Sequence, residues 1–307
     1  MKIDLLPLHR LTGHKDCLYT LLEDTEVGFF FTGGGDGLVA RWDISQAADA
    51  TLAAQVSDNI YSLLHWPVDR ALLLGTHTGG LHLIDLVENR ELHLYRKNPA
   101  PIFGMAWGGE QLFVAHGDGF VSRWSRDGNK SLVLDFHQAA AQAALRCLAI
   151  HPSGEMLAVG SSDHSIRLLN RHGKEQLCLL GHTNSVFSLL WLAGGKYLLS
   201  GSRDAHLAVW ETASGKLLDK IPAHLFTINH LLHLPELGVV ASAGRDKTIK
   251  LWDDKSLELL KVADYEKFPG KAHSHSVNKL AWHAASRQLL SVGDDRKLII
   301  WQLTIQQ

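Results

Sequence analysis

The stretch Arg245-Asp246-Lys247-Thr248-Ile249-Lys250-Leu251-Trp252 sets an aspartate six residues before a tryptophan, with an aliphatic side chain midway. The same arrangement returns from Asp36 to Trp42, Asp118 to Trp124, Asp204 to Trp210 and Asp295 to Trp301. Two degenerate copies keep the offset of six, Asp163 leading to Leu169 and Thr78 leading to Ile84. Three residues past each marker the side chain is always aliphatic, as Val39, Leu81, Val121, Ile166, Leu207, Ile249 and Leu298. The markers are spaced 42, 40, 45, 41, 42 and 49 residues apart, so seven units of about forty residues fill nearly the whole chain of 307. A fixed period of this length signals a repeat architecture.

Each unit reads as four short strands. In the fifth copy, Ser185-Val-Phe-Ser-Leu-Leu-Trp191 alternates, a glycine-containing turn follows, then Lys196-Tyr-Leu-Leu-Ser200, the aspartate turn and the Trp210 strand. The 27 glycines are spread in small clusters, as turn markers are. One four-stranded sheet cannot cover both of its faces, and placing such units radially covers every face and protects the edges. The expected fold is all-β: a closed seven-bladed propeller of four-stranded antiparallel sheets, one domain over residues 1–307.

The chain resembles the WD-repeat family across essentially its full length. Gly13-His14, Gly181-His182 and Ala223-His224 open three copies, and Trp42-Asp43 and Trp252-Asp253 close two; Trp124-Ser125, Trp210-Glu211 and Trp301-Gln302 are weaker endings. After Trp301 too little chain remains for a fourth strand, while residues 3–11 stand before Gly13-His14 as residues 216–221 stand before Ala223-His224. The resemblance implies that residues 3–11 cross the seam and supply the outer strand of the last blade.

Four copies carry a constellation of histidine, hydroxyl, aspartate and tryptophan. The sets are His14, Thr32, Asp36 and Trp42; His182, Ser200, Asp204 and Trp210; His224, Ser242, Asp246 and Trp252; His273, Ser291, Asp295 and Trp301. A hydroxyl, an imidazole and a carboxylate are the parts of a nucleophilic triad, but a catalytic site needs one exposed set. Four repeats of the set read as buried turn hardware in which each polar group satisfies another. Blades 5, 6, 7 and 1 hold the full sets and form the stiffer part of the expected ring; blades 2, 3 and 4 lack the matching histidine.

Other chemistry finds little footing. The 19 histidines, with His273-Ser-His275 and the run His224, His230, His233, raise the question of a metal, but no cysteine pair has zinc spacing and no His-Glu-x-x-His occurs. Gly33-Gly-Gly-Asp-Gly37 lacks the Gly-Lys-Ser/Thr of a phosphate loop and reads as the first aspartate turn. No catalytic residue, cofactor or metal is expected, and the chain reads as a non-enzyme. Gln138-Ala-Ala-Ala-Gln-Ala-Ala144 reads as the opening loop of blade 4, and 264–271 as an insertion of about seven residues with exposed aromatic content that serves either as a contact loop or as plain surface.

In WD-repeat proteins the narrow face around the central channel receives peptides. Carried onto this chain, its positions five residues after the histidine slot are Tyr19, Tyr61, Phe103, Arg146, Phe187, Asn229 and Asn278. Those just before the turn aspartate are Gly35, His77, Gly117, Ser162, Arg203, Arg245 and Asp294. The residues expected to meet a partner are Tyr19, Tyr61, His77, Phe103, Arg146, Phe187, Arg203, Asn229, Arg245 and Asn278, since aromatic and arginine side chains dominate binding hot spots. Two readings stand side by side: a protein-interaction scaffold binding a peptide, partly acidic and with an apolar anchor, or inner-strand aromatics that only pack the channel wall. The rival from another class is an enzyme or small-ligand propeller with a site in the channel.

With 30 Lys+Arg, 32 Asp+Glu and a pI near 6.8, the chain lacks the positive charge that grips phosphate backbones, so direct nucleic-acid binding is not expected. No apolar run approaches the roughly 20 residues of a membrane helix. The start lacks a signal-peptide pattern, and Cys17, Cys147 and Cys178 are odd in number and unclustered. The expected setting is cytoplasmic, with the nucleus open, and the expected state a monomeric propeller within a larger complex.

Overall fold

The computed structural model of the chain describes residues 2–45, 50–127 and 130–306. The expected domain, 1–307, thus includes residues 1, 46–49, 128–129 and 307, which lie outside the described residues. Strand β1 (Lys2–Thr12) comes first in the chain. β2 (Leu18–Glu23), β3 (Phe29–Gly34), β4 (Leu38–Asp43) and β5 (Thr51–Gln55) form an antiparallel sheet in that order. β6 (Ile60–His65), β7 (Ala71–Thr76), β8 (Gly80–Asp85) and β9 (Arg90–Arg96) form the next, followed by β10 (Ile102–Gly108), β11 (Gln111–His116), β12 (Phe120–Asp127) and β13 (Ser131–Ala139). β14 (Leu145–Ile150), β15 (Met156–Ser161), β16 (Ile166–Asn170) and β17 (Glu175–Leu179) make the fourth sheet, and β18 (Val186–Leu192), β19 (Tyr197–Ser202), β20 (His206–Glu211) and β21 (Leu217–Pro222) the fifth. The sixth holds β22 (Ile228–Leu234), β23 (Val239–Gly244), β24 (Ile249–Asp253) and β25 (Leu259–Ala263).

β26 (Val277–His283), β27 (Gln288–Gly293) and β28 (Lys297–Gln306) run out of chain one strand short, and β1 completes their sheet by pairing antiparallel with β28 from Lys2↔Gln306 to Thr12↔Lys297. The fold is a seven-bladed β-propeller of four-stranded antiparallel sheets, closed by that pairing.

The chain divides into two compact units. One comprises Met1–Ile60 with His224–Gln307, and the other Tyr61–Ala223. In the first, Ile3, Leu5, Leu280, Leu289, Ile299 and Trp301 bury against Leu234, Val239 and Leu251 of the sixth sheet, while Leu290, Leu298 and Ile300 bury against Leu18, Phe30 and Trp42 of the first. In the second unit, Leu73, Leu83, Leu112 and Trp124 form one layer, Phe113, Leu145 and Val159 another, and Ile166, Leu179, Leu198 and Trp210 a third. Middle strands are covered on both faces, which is why Ala71–Thr76 is buried at every position and shows no apolar-polar alternation.

The turn after each marker repeats one backbone device. The residue following the marker takes positive φ in all seven copies: Gly37 at 71°, Gly79 at 79°, Gly119 at 91°, His164 at 74°, Ala205 at 69°, Lys247 at 70° and Arg296 at 63°. At Gly37 a Cβ would stand 2.3 Å from the Val56 carbonyl oxygen, so glycine is required there by contact as well as by φ. The aspartate holds the turn by accepting from the amide two residues on, as Asp36 does from Leu38 at 3.2 Å and Asp204 from His206 at 3.1 Å.

Two loop expectations change in detail. Within the insertion at 264–271, Tyr265 is exposed, but Phe268 turns inward and meets the Trp301 ring edge-on at 6.2 Å, because the backbone closes a turn through Phe268 N to Asp264 O and Ala272 N to Phe268 O. Gln138 and Ala139 belong to the end of β13, pairing with Val121 and Phe120, so the loop that opens blade 4 starts only at Ala140.

Candidate functional site

The four sequence-read sets assemble as continuous hydrogen-bond chains. In blade 5 the Trp210 indole N–H donates to Ser200 Oγ at 2.8 Å, Ser200 Oγ meets His182 Nε2 at 2.8 Å, and His182 Nδ1 meets Asp204 at 2.9 Å. The corresponding distances are 2.7, 2.8 and 2.9 Å through Trp42, Thr32, His14 and Asp36. They are 2.8, 2.7 and 2.9 Å through Trp252, Ser242, His224 and Asp246, and 2.8, 2.8 and 2.9 Å through Trp301, Ser291, His273 and Asp295. The donor inventory fixes the direction: indole N–H to hydroxyl, hydroxyl to Nε2, and Nδ1–H to carboxylate. Thr32, Ser200, Ser242 and Ser291 are fully buried and committed to a tryptophan, so these hydroxyls are placed to tie strands together rather than to attack a substrate.

Burial by itself would raise the pKa of Asp246, but hydrogen bonds from His224 and the Leu225 amide outweigh it and hold the carboxyl at about 2. Asp36, Asp204 and Asp295 are lowered from the usual value for the same reasons. Lys220 places a cation 3.1 Å from Asp204 in blade 5. The other histidines of the run part company: His230 Nδ1 accepts from the Leu280 amide at 3.2 Å, and His233 Nε2 meets Asp254 at 2.9 Å.

Blade 3 contains a variant that sequence spacing missed. His116 Nε2 meets Ser122 Oγ at 2.8 Å, and Trp124 donates to the same oxygen at 2.8 Å. In this sheet Val114 stands opposite Ser122, whereas in blade 1 Thr32 stands opposite Ala40. The hydroxyl has changed places with its neighbour across the ladder and still reaches the tryptophan. Asp118 accepts from the Asn98 side chain instead of from a histidine.

Six of the ten expected partner-binding positions share a structural cause. In six inner strand pairs the register slips by one residue, and the extra residue is Tyr19, Phe103, Arg146, Phe187, Asn229 or Asn278. A bulge leaves one residue unpaired and re-aims its side chain, so the backbone itself singles out these positions.

In the unit Tyr61–Ala223 the three bulge side chains Phe103, Arg146 and Phe187 form a row with Tyr61. The Tyr61 and Phe103 rings stack at 5.3 Å with 27° between their planes. The Arg146 guanidinium carbon lies 4.6 Å from the Phe103 ring centre and 5.5 Å from that of Phe187. Three of the four members meet the residue before their turn: Tyr61 Oη meets His77 Nδ1 at 3.2 Å, Arg146 Nε donates to Ser162 Oγ at 2.8 Å, and Phe103 covers Gly117, where a Cβ would come within 3.1 Å of its ring. Burial draws the Arg146 pKa below its ordinary value, and the like charge of Arg203 adds to this. The constant separation of 16 residues between Tyr61 and His77, Arg146 and Ser162, and Phe187 and Arg203 was readable in the sequence as a possible pairing.

The unit of residues 1–60 and 224–307 treats the same positions differently. Asn278 Nδ2 donates to the Leu18 carbonyl at 2.8 Å and to Asp294 at 2.7 Å. Asn229 Nδ2 donates to Ser276 Oγ at 2.8 Å and to the Val277 carbonyl at 2.9 Å. Both amides therefore tie neighbouring strands together. Tyr19 is half-buried beside Cys17, and Arg245 is exposed.

Comparison with known proteins gives the following likenesses. The WD domain, G-beta repeat, model matches residues 215–253 and 266–302, and an N-terminal beta-propeller domain model matches 104–223. THO complex subunit 3 of Arabidopsis thaliana is 27% identical over 254 residues, covering 80% of this chain and 78% of that protein. Protein HIR1 of Cryptococcus neoformans var. neoformans is 24% identical over 190 residues, 52% of this chain, and the chain spans 21% of its length. Striatin-4 of Mus musculus is 23% identical over 249 residues, 80% of this chain and 28% of its own. The solved WD40 beta propeller domain of Doa1 superposes with a TM-score of 0.83 at 17% identity, covering 97% of each chain.

Proposed function

Because this chain is a WD-repeat β-propeller, we propose that it is a non-enzymatic interaction platform that takes a peptide or protein segment on the row of Tyr61, Phe103, Arg146 and Phe187. The observation that carries this reading is the unbroken run of three rings and one guanidinium, three of its four members on bulges, with His77, Gly117 and Ser162 in contact with Tyr61, Phe103 and Arg146. Such side chains offer large contact area, and bracing them in advance lowers the ordering cost of binding. Packing of the core does not require the row, because the layers beneath are closed by Leu112, Leu145, Leu198 and their neighbours. Similarity to a protein named as a subunit of the THO complex supports a role among protein partners.

The test is affinity capture from the native cell with the wild-type chain, Phe103→Ala and Phe187→Ala, each checked by thermal melting. The expected result is partners lost from both variants at near-unchanged melting temperature. Equal recovery of the same partners by all three would remove the row as the site.

A further inference from the structure

Arg146 is an unusual member of the row. Its guanidinium is held between two phenyl faces, Phe103 at 4.6 Å and Phe187 at 5.5 Å, and its Nε is fixed by Ser162 Oγ at 2.8 Å. Those contacts commit the guanidinium to two rings and use its Nε–H, while its two terminal nitrogens have no partner among the described residues. Among the described residues no carboxylate forms an ion pair with Arg146, although most other buried or half-buried cations in this unit have one: Arg123 has Asp135 at 2.9 Å, Arg167 has Asp163 at 3.0 Å and Lys220 has Asp204 at 3.1 Å. Burial and the like charge of the exposed Arg203 of the next blade both disfavour the charged form of Arg146, and the opposing contribution from Tyr61 is smaller than that of burial.

A half-buried cation beside a like charge is poorly solvated and lacks a counter-ion, and its open edge presents a pair of parallel N–H donors. That geometry matches the two oxygens of a carboxylate. The two ring contacts and the Nε–Ser162 hydrogen bond restrain the guanidinium, which lowers the ordering cost of receiving a carboxylate at its terminal nitrogens.

We propose that Arg146 is the specificity-determining residue of the row and that the bound segment presents an aspartate or glutamate side chain to it, with an apolar residue beside that acid against Phe103 or Phe187. This inference rests on the reading of the row as a docking site. Arg203 supplies longer-range attraction for the same acid, so binding weakens as salt rises.

The experiment pans a display library of unphosphorylated linear peptides on the full chain, then titrates selected peptides and their acid-to-amide counterparts against the wild type, Arg146→Gln, Arg146→Lys, Phe103→Ala and Phe187→Ala. Circular dichroism and thermal melting establish that each variant is folded. The selected peptides should share an acidic residue next to an aromatic or aliphatic one. Converting that acid to its amide should weaken binding to the wild type about tenfold or more and change binding to Arg146→Gln less than about twofold, with Arg146→Lys between them.

If the amide peptides bind the wild type as well as the acids while Phe103→Ala abolishes binding, the carboxylate inference is overturned and the docking row stands. If Phe103→Ala and Phe187→Ala leave binding intact, the row itself falls and the inference with it. A phosphoserine in place of the acid that binds more than about tenfold tighter would overturn the carboxylate in favour of phosphate.

Discussion

His116 Nε2 lies 2.8 Å from Ser122 Oγ, in a blade whose hydroxyl sits on the strand opposite the one used by the four full sets. The tryptophan of that blade is satisfied all the same, but the histidine is not. His116 Nδ1 meets no hydrogen-bond partner among the described residues, and neither do His137 Nδ1 and Asn98 Oδ1. The two imidazoles meet edge to face at 5.1 Å.

Burial, reinforced by His137, pulls the His116 pKa down to about 4 from 6.5. The folded state therefore holds the neutral ring, and its stability is complete above about pH 6.5 and falls as the pH drops toward 4, where the unfolded chain binds a proton that the folded one refuses. Between pH 7.5 and 5.0 this group alone should cost about 2 kcal/mol. Urea denaturation at the two pH values should show His116→Gln losing about 2 kcal/mol less than the wild type; equal losses would mean that the ring is not the sensitive group.

Ser200→Ala should destabilise the fold by about 2–4 kcal/mol, because it strands two buried groups, the Trp210 N–H and His182 Nε2. Ser122→Ala should cost a similar amount through Trp124 and His116. A loss below about 0.5 kcal/mol for Ser200→Ala in chemical denaturation would show that the hydroxyl is not a joint of the sheet.

Lys247 and Ala205 hold φ of 70° and 69°, in the region that disfavours any Cβ. Lys247→Gly and Ala205→Gly should each stabilise by roughly 0.5–1 kcal/mol, the relief of strain exceeding the entropy that glycine adds to the unfolded chain. Calorimetry would show a small rise in melting temperature. A fall would mean that the aspartate turn already removes the strain.

Removing residues 2–11 would uncover the outer side of β28 and take Ile3, Leu5 and Leu11, at 3%, 0% and 7% exposure, out of the core. The melting temperature should drop by more than 10 °C, on the order expected for losing several buried aliphatic side chains together with a strand of backbone hydrogen bonds. The truncated chain should also self-associate through the open edge, which size-exclusion chromatography would detect.

Acid should loosen the full sets only at very low pH. Asp246 is held at about 2, below its ordinary 3.8, so its contribution persists above pH 4 and is lost as the pH falls through 2. The loss near pH 5 described for His116 is thus separable from the loss near pH 2 by a stability profile across that range.

Much of the fold was legible because the offset from Asp246 to Trp252 is local chemistry: a turn that needs a carboxylate, followed by a strand that buries an indole. Repeating it in five full and two degenerate copies leaves sheets with two bare faces, and only stacking covers them. The four sets from His14, His182, His224 and His273 were legible for the same reason, since their members recur at fixed separations. The outer strand β1 was legible only by joining the shortage of chain after Trp301 to the resemblance to the WD-repeat family, which implies that residues 3–11 cross the seam.

The rest depended on contacts between distant residues. A hydroxyl moved from position 114 to 122 breaks the sequence spacing but not the geometry, because residues facing each other across a ladder can exchange roles while both point at the same tryptophan. Likewise, seven aligned inner-strand positions look equivalent in sequence, yet Asn229 and Asn278 donate into neighbouring strands while Phe103, Arg146 and Phe187 stack on one another. Period and turn chemistry are short-range and so are written in the order of residues; which bulged side chains donate into neighbouring strands and which stack on one another depends on what adjacent blades bring alongside, and that is decided only when the sheets pack.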